Sequence, residues 1–183
     1  MRHRLKLCCA VSLVTWVVCL DGASATTVLP ADFTTVVTES GVIVHGRVLS
    51  VESRLVGPQR VIESVVTLAV LESLKGGAAE RVSFRVPNGQ VGRYRRVLVG
   101  APEFVEGDEV VVFLEGRPPA LPSVFGLSQG VYRVTRDAAA RVMVMPPRMA
   151  ASDGRVVRGD PARVPLPIDA FARAVRAALE GAR

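Results

Sequence analysis

Cysteine is scarce in this chain of 183 residues: there are three, Cys8, Cys9 and Cys19, and all lie within the first twenty positions. Histidine is scarcer still, with His3 and His45 only, and a single tryptophan and two tyrosines leave the chain poor in aromatic rings. No apolar run reaches the length of a membrane-spanning helix: the longest candidate, residues 7–20, has 14 residues where about 20 are needed.

Those absences gain force from what surrounds the cysteines. Arg2, His3, Arg4 and Lys6 precede the apolar run, and Ala23, Ser24 and Ala25 follow it. A basic start, a short apolar core and a small-residue end are the layout of a secretory signal peptide over residues 1–25, with cleavage expected after Ala25. An uncleaved anchor is the weaker alternative because the run is short. A lipoprotein signal ending at Cys19 is disfavoured because Trp16, Val17 and Val18 precede that cysteine. The expected location is therefore secreted or periplasmic.

Cleavage would leave 158 residues (183 minus 25), one ordinary domain, with no cysteine and only His45. Disulfides, thiolate metal sites and a cysteine nucleophile are then excluded, as are a two-histidine zinc site and an H-E-x-x-H helix. Removing Arg2, Arg4, Lys6 and Asp21 takes the count from 23 basic and 17 acidic residues to 20 and 16, so the net charge falls from +6 to +4. That balance favours solubility and gives no ground for a nucleic-acid partner.

The remaining rhythm is of short β-branched runs between turn residues, which predicts an all-β fold. Asp32 caps a short helix through Thr38. Residues 42–51 form a central strand with Gly46 as a bulge or close-approach point. Residues 61–74 form a long strand, and residues 81–87 alternate most clearly, with Val82, Phe84 and Val86 inward. Asn88 and Gly89 are expected to turn the chain. Residues 110–114, apolar throughout, predict a strand covered on both sides. Residues 126–136 and 141–145 predict a hairpin around Asp137, and residues 146–166 an irregular connection. Residues 167–180 predict a helix, with Ile168, Phe171, Val175 and Leu179 on one stripe packed against the barrel. The architecture expected is a small closed barrel of about six or seven strands over residues 26–145, flanked by a short N-terminal and an amphipathic C-terminal helix.

Candidate chemistry is thin. His45 sits mid-strand, and no carboxylate lies beside it in sequence, so a hydrogen-bonded, partly buried histidine is favoured over a general base or metal ligand. Glu103, Glu106, Asp108 and Glu109 offer hard-cation ligands in principle, but a polar turn opening a strand explains them equally. Arg93, Tyr94, Arg95 and Arg96 form the sharpest feature, a candidate anion-binding patch in which guanidiniums surround one aromatic ring. The alternative is an exposed strand face. Gly126 and Gly130 lack a following Lys-Ser/Thr and are turn glycines, and Ser128 has no strand-then-helix context for a nucleophile.

The run of residues 41–48 with glycines at 41 and 46, the segment Val70-Leu71-Glu72-Ser73-Leu74-Lys75-Gly76, the stretch from Glu106 through Glu109 to Leu114, and Gly126 to Gly130 together resemble bacterial secreted barrels akin to netrin-module and tissue-inhibitor-of-metalloproteinase domains. The resemblance spans residues 33–144 and implies an OB-like barrel. Inhibitors of that family work through an N-terminal cysteine that chelates the protease zinc, held by disulfides. Here the chain would begin at Thr26 without cysteine, so no functional residue carries over. The expectation is a non-enzymatic binding module without cofactor, contacting a protein or envelope partner, in its sharper form a secreted protease. An anionic-ligand binder using Arg93, Tyr94, Arg95 and Arg96 is the alternative, and oligomeric state is left open. A hydrolase built on His45 is the least favoured reading.

Overall fold

The structure, a computed structural model, describes residues 31–77, 79–116, 119–150, 156–158 and 163–182. The signal peptide, Ala25 and Thr26 lie outside the described residues.

Asp32 starts the first helix, α1 (Phe33–Glu39): its side chain accepts the Thr35 amide at 2.7 Å, satisfying one of the donors a helix start leaves open. Lys75 finishes it from a distant strand, with Nζ donating to the carbonyls of Val37 at 2.9 Å and Thr38 at 2.8 Å. A cation at that end also suits the helix dipole.

Two long strands follow, β1 (Val42–Val56) and β2 (Val61–Lys75), joined by the turn at Gly57 and Pro58 and paired antiparallel along their whole length. The pairing slips between His45 and Gly46, at the expected bulge. A Cβ on Gly46 would sit 2.6 Å from the Ala69 carbonyl oxygen, so only glycine lets the strands approach this closely. Strand β3 (Arg81–Val86) adds to β2, and β6 (Glu109–Glu115) to the free side of β1. The short β7 (Ser123–Val124) bridges β3 and β6 and closes a barrel of five strands, β1-β2-β3-β7-β6. Strands β8 (Val131–Arg136), β9 (Val142–Met145) and β12 (Leu166–Pro167) extend the sheet outward from β6.

Strand β6 explains why one run is apolar throughout. Val110, Val112 and Leu114 point into the barrel with Val44, Val66, Leu68 and Phe84. Val111 and Phe113 point to the opposite face, into a second core with Val36, Val37, Ile43, Tyr132, Phe171 and Val175. The C-terminal helix α2 (Ile168–Gly181) supplies Phe171 and Val175 from the predicted stripe. Its Phe171 ring lies 5.7 Å from Phe33, 6.3 Å from Phe113 and 4.9 Å from Tyr132, so one aromatic knot joins both helices to the sheet. Among the described residues, no helix is long and apolar enough to cross a membrane.

Three expectations need correction. Asn88 and Gly89 do not close a hairpin: Gly89 opens β4 (Gly89–Val91), and the turn to β5 (Tyr94–Arg96) falls at Gly92 and Arg93. Asn88 is held instead by its side-chain amide, which donates to the Pro102 carbonyl at 2.9 Å. The strand expected from Gly126 begins at Val131, because residues 126–130 coil into turns, with the Gly130 amide on the Phe125 carbonyl at 3.0 Å. Within the stretch expected to be irregular, β10 (Arg148–Ala150) pairs antiparallel with β11 (Val156–Arg158), and β12 pairs with β9. Local composition hid these short pairs, which carry no alternation long enough to read.

Candidate functional site

The β1–β6 register brings together residues 62 and 64 apart in sequence. Arg47 pairs directly with Glu109, and His45 lies two positions along the same face. Glu109 accepts from both: its Oε1 is 2.9 Å from His45 Nε2 and its Oε2 3.4 Å from Arg47 Nη2. Burial pushes the Glu109 carboxyl up, but the hydrogen bond and charge of His45, then those of Arg47, outweigh it and hold the carboxyl below the ordinary glutamate range. The carboxylate that His45 lacks in its own stretch of sequence is thus supplied across the sheet by Glu109. His45 is buried, 8 % exposed, and its place on the flank of the second core is that of a hydrogen-bonded histidine locked to the neighbouring strand.

The acidic cluster disperses. Glu103 pairs with Arg95 at 3.2 Å, and Asp108 takes the Arg133 guanidinium and, at 3.1 Å, the Val105 amide. Glu109 turns to His45. Among the described residues, no three candidate ligands gather to hold a metal ion. Ser128 lies in the turn before β8.

Arg93, Tyr94, Arg95 and Arg96 occupy the tip and return strand of the β4–β5 hairpin. The three guanidiniums take different partners. Arg93 donates to the Tyr94 hydroxyl at 2.9 Å and lies 5.1 Å from the centre of its ring. Arg95 reaches Glu103, and Arg96 donates to the Ile62 carbonyl at 3.2 Å. The patch is thus an exposed Arg93–Tyr94 pair with two arginines tied into the surrounding chain.

Residues 87–108, the excursion from β3 to β6, carry a feature the sequence reading did not single out. Tyr94, Val97, Val99 and Val105 are between 63 % and 77 % exposed, and they make up four of the eight large hydrophobic side chains found exposed among the described residues. Such side chains scattered singly are ordinary, whereas four on one excursion with Arg93 and Arg95 among them have the composition of a contact surface. The apolar residues at 97–99 and 105 are visible in the sequence, but their exposure, which separates them from a core strand, is not legible locally.

Several clefts flank this excursion. One of about 450 Å³ is lined by Asn88, Arg95, Val97, Val99, Glu103 and Val105 among others. A larger one of about 610 Å³ opens where the end of the β1–β2 hairpin, β3 and β7 meet Arg96, Leu98, Pro102 and Leu127. Gly100 packs toward the Leu127 side chain, joining the excursion to the turn before β8. No family model matches the chain, and neither a curated protein nor a solved structure matches it.

Proposed function

We propose that the chain is an exported, non-enzymatic binding module that contacts a protein partner through the excursion of residues 87–108. The observation that carries this reading is the concentration of Tyr94, Val97, Val99 and Val105, exposed together with Arg93 and Arg95 on one segment between β3 and β6. Interface centres are enriched in aromatic and arginine side chains, supplied here by Tyr94, Arg93 and Arg95, and the valines add apolar surface around them. The closed barrel supplies a rigid base, and the Asn88 side chain ties the start of the segment to the Pro102 carbonyl. Export rests on the leader-like layout of residues 1–25, and the OB-like and inhibitor-family resemblance is kept with it as part of the proposal.

The test is a comparison of two proteins as bait in the supernatant and envelope fraction of the producing cell. The wild type should retain a discrete partner that a Tyr94→Ser, Val97→Ser, Val99→Ser variant of equal thermal stability does not. Retention by both would remove the excursion from the interface. The sharper form predicts that the wild type protects the substrate of a secreted metalloprotease at a one-to-one ratio, and unchanged proteolysis across a panel of such enzymes would end that form. Arg93→Ala with Arg95→Ala separates the anionic-ligand alternative: binding of a polyanion that these changes abolish would support it over a protein partner.

A further inference from the structure

We propose that the larger cleft, which borrows Pro87, Arg96, Leu98 and Pro102 from the same excursion, is a second site that binds an aliphatic chain ending in a single carboxylate. Its walls are aliphatic, with Val56, Val61, Val86, Leu98, Val124 and Leu127 among the lining residues and no aromatic ring. A volume of about 610 Å³ falls within the range of small-ligand sites.

The charges around it are unequal in what they have left to offer. Glu63 is already committed, its Oε1 accepting both Nε and Nη2 of Arg54 at 3.1 and 2.8 Å. The Arg85 guanidinium has no hydrogen bond or ion pair among the described residues. Arg96 spends one nitrogen on the Ile62 carbonyl and has no carboxylate partner among the described residues. Glu115 is the remaining acid in the lining, and burial, then the nearby Glu39, push its carboxyl up.

Register sets the polar edge. Arg85 of β3 pairs with Ser123 of β7, and Ser123 pairs with Glu115 of β6, so the three form one row across the strands, with a hydroxyl between a cation and an acid. A carboxylate seated on this row would take Arg85 and the Ser123 hydroxyl, with its chain running over the aliphatic wall. A peptide end fits less well, because each amide it buried would need a partner and Ser123 is the one uncharged polar side chain in the lining. The chemistry of this site does not require a protein partner, although the cleft and the proposed contact surface share the segment of residues 87–108. The cleft shares no residue with the exposed set Tyr94, Val97, Val99 and Val105.

The experiment is titration of the purified protein with dodecanoate, followed by calorimetry and amide NMR shifts. Saturable one-site binding is expected, with shifts centred on Leu98, Ser123 and Leu127. Dodecanol should bind more weakly than dodecanoate. Arg85→Gln, an exposed change expected to leave the melting temperature unaltered, should weaken dodecanoate by about tenfold or more and leave dodecanol unaffected, as loss of a charge-assisted pair requires. Leu127→Asp should abolish both. The proposal is overturned if dodecanoate does not bind, if dodecanol binds equally well, if the shifts lie elsewhere, or if Arg85→Gln leaves dodecanoate affinity unchanged. Tighter binding of a leucine-ended peptide with a free carboxylate would overturn it in favour of a chain terminus.

Discussion

Replacing Phe171 by alanine tests whether the C-terminal helix belongs to the same cooperative unit as the barrel. Phe171 is 3 % exposed and meets the rings of Phe33, Phe113 and Tyr132 with centroids 5.7, 6.3 and 4.9 Å away. Burying a phenylalanine contributes about 1.5–3 kcal/mol, and each aromatic pair adds about 0.5–1.5 kcal/mol. Core phenylalanine-to-alanine changes accordingly cost about 3–5 kcal/mol, a large share of the roughly 5–15 kcal/mol that holds a domain together. Urea unfolding followed by far-ultraviolet circular dichroism is the suitable assay, because the only tryptophan is Trp16, within the leader-like segment. The expected result is one transition shifted by about 3–5 kcal/mol with an unchanged slope. Arg173→Ala, which removes an exposed pair with Asp169 at 3.0 Å on the same helix, should leave the transition unshifted. A loss below about 1 kcal/mol for Phe171→Ala, or a separate early transition of the helix, would refute the single-unit reading.

Three further changes probe the ties around the barrel. Gly46→Ala places a Cβ 2.6 Å from the Ala69 carbonyl oxygen, and the strand shift it forces should cost about 1–3 kcal/mol in the same unfolding assay. Lys75→Met removes the Nζ donors from the Val37 and Thr38 carbonyls at the end of α1, and should lower stability by about 1–3 kcal/mol. Glu109 and Glu115 should respond to pH with opposite signs. Glu109 is held below its unfolded value of about 4.3, so its contribution is present above that pH and is lost as pH falls through the folded value. The deficit of Glu109→Gln should thus be larger at neutral pH than in acid. Glu115 is raised, so its contribution is greatest in acid and is lost as pH rises through the folded value; Glu115→Gln should be neutral or stabilising at pH 7. Deficits that do not vary with pH would contradict both assignments.

Several parts of this fold are legible because local pattern and tertiary role agree. Val82, Phe84 and Val86 alternate because β3 buries one face, and residues 110–114 are continuous because β6 separates two cores. The stripe through Phe171 and Val175 and the bulge at Gly46 are set by spacing and by the missing side chain. The remainder depends on register. His45 and Glu109 meet only because β1 pairs with β6, which no local feature encodes. The Asn88-Gly89 signal, strong in isolation, is overridden because the Asn88 amide finds Pro102 and Gly89 backs against the Ser53 and Ser64 hydroxyls. Strand β7, two residues long, closes the barrel through pairings too short to leave a period. Arg93, Tyr94, Arg95 and Arg96 read as one patch in sequence, whereas the hairpin distributes their guanidiniums among Tyr94, Glu103 and Ile62.

The central claim is that residues 87–108 form the contact surface, and site-specific photocrosslinking in the producing cell tests it most directly. A photoreactive residue at Val99, 77 % exposed on the excursion, is compared with one at Leu71, 53 % exposed on β2. A discrete adduct with one protein from position 99 and none from position 71 is the predicted result. The same adduct from both positions, or an adduct from position 71 alone, would contradict it.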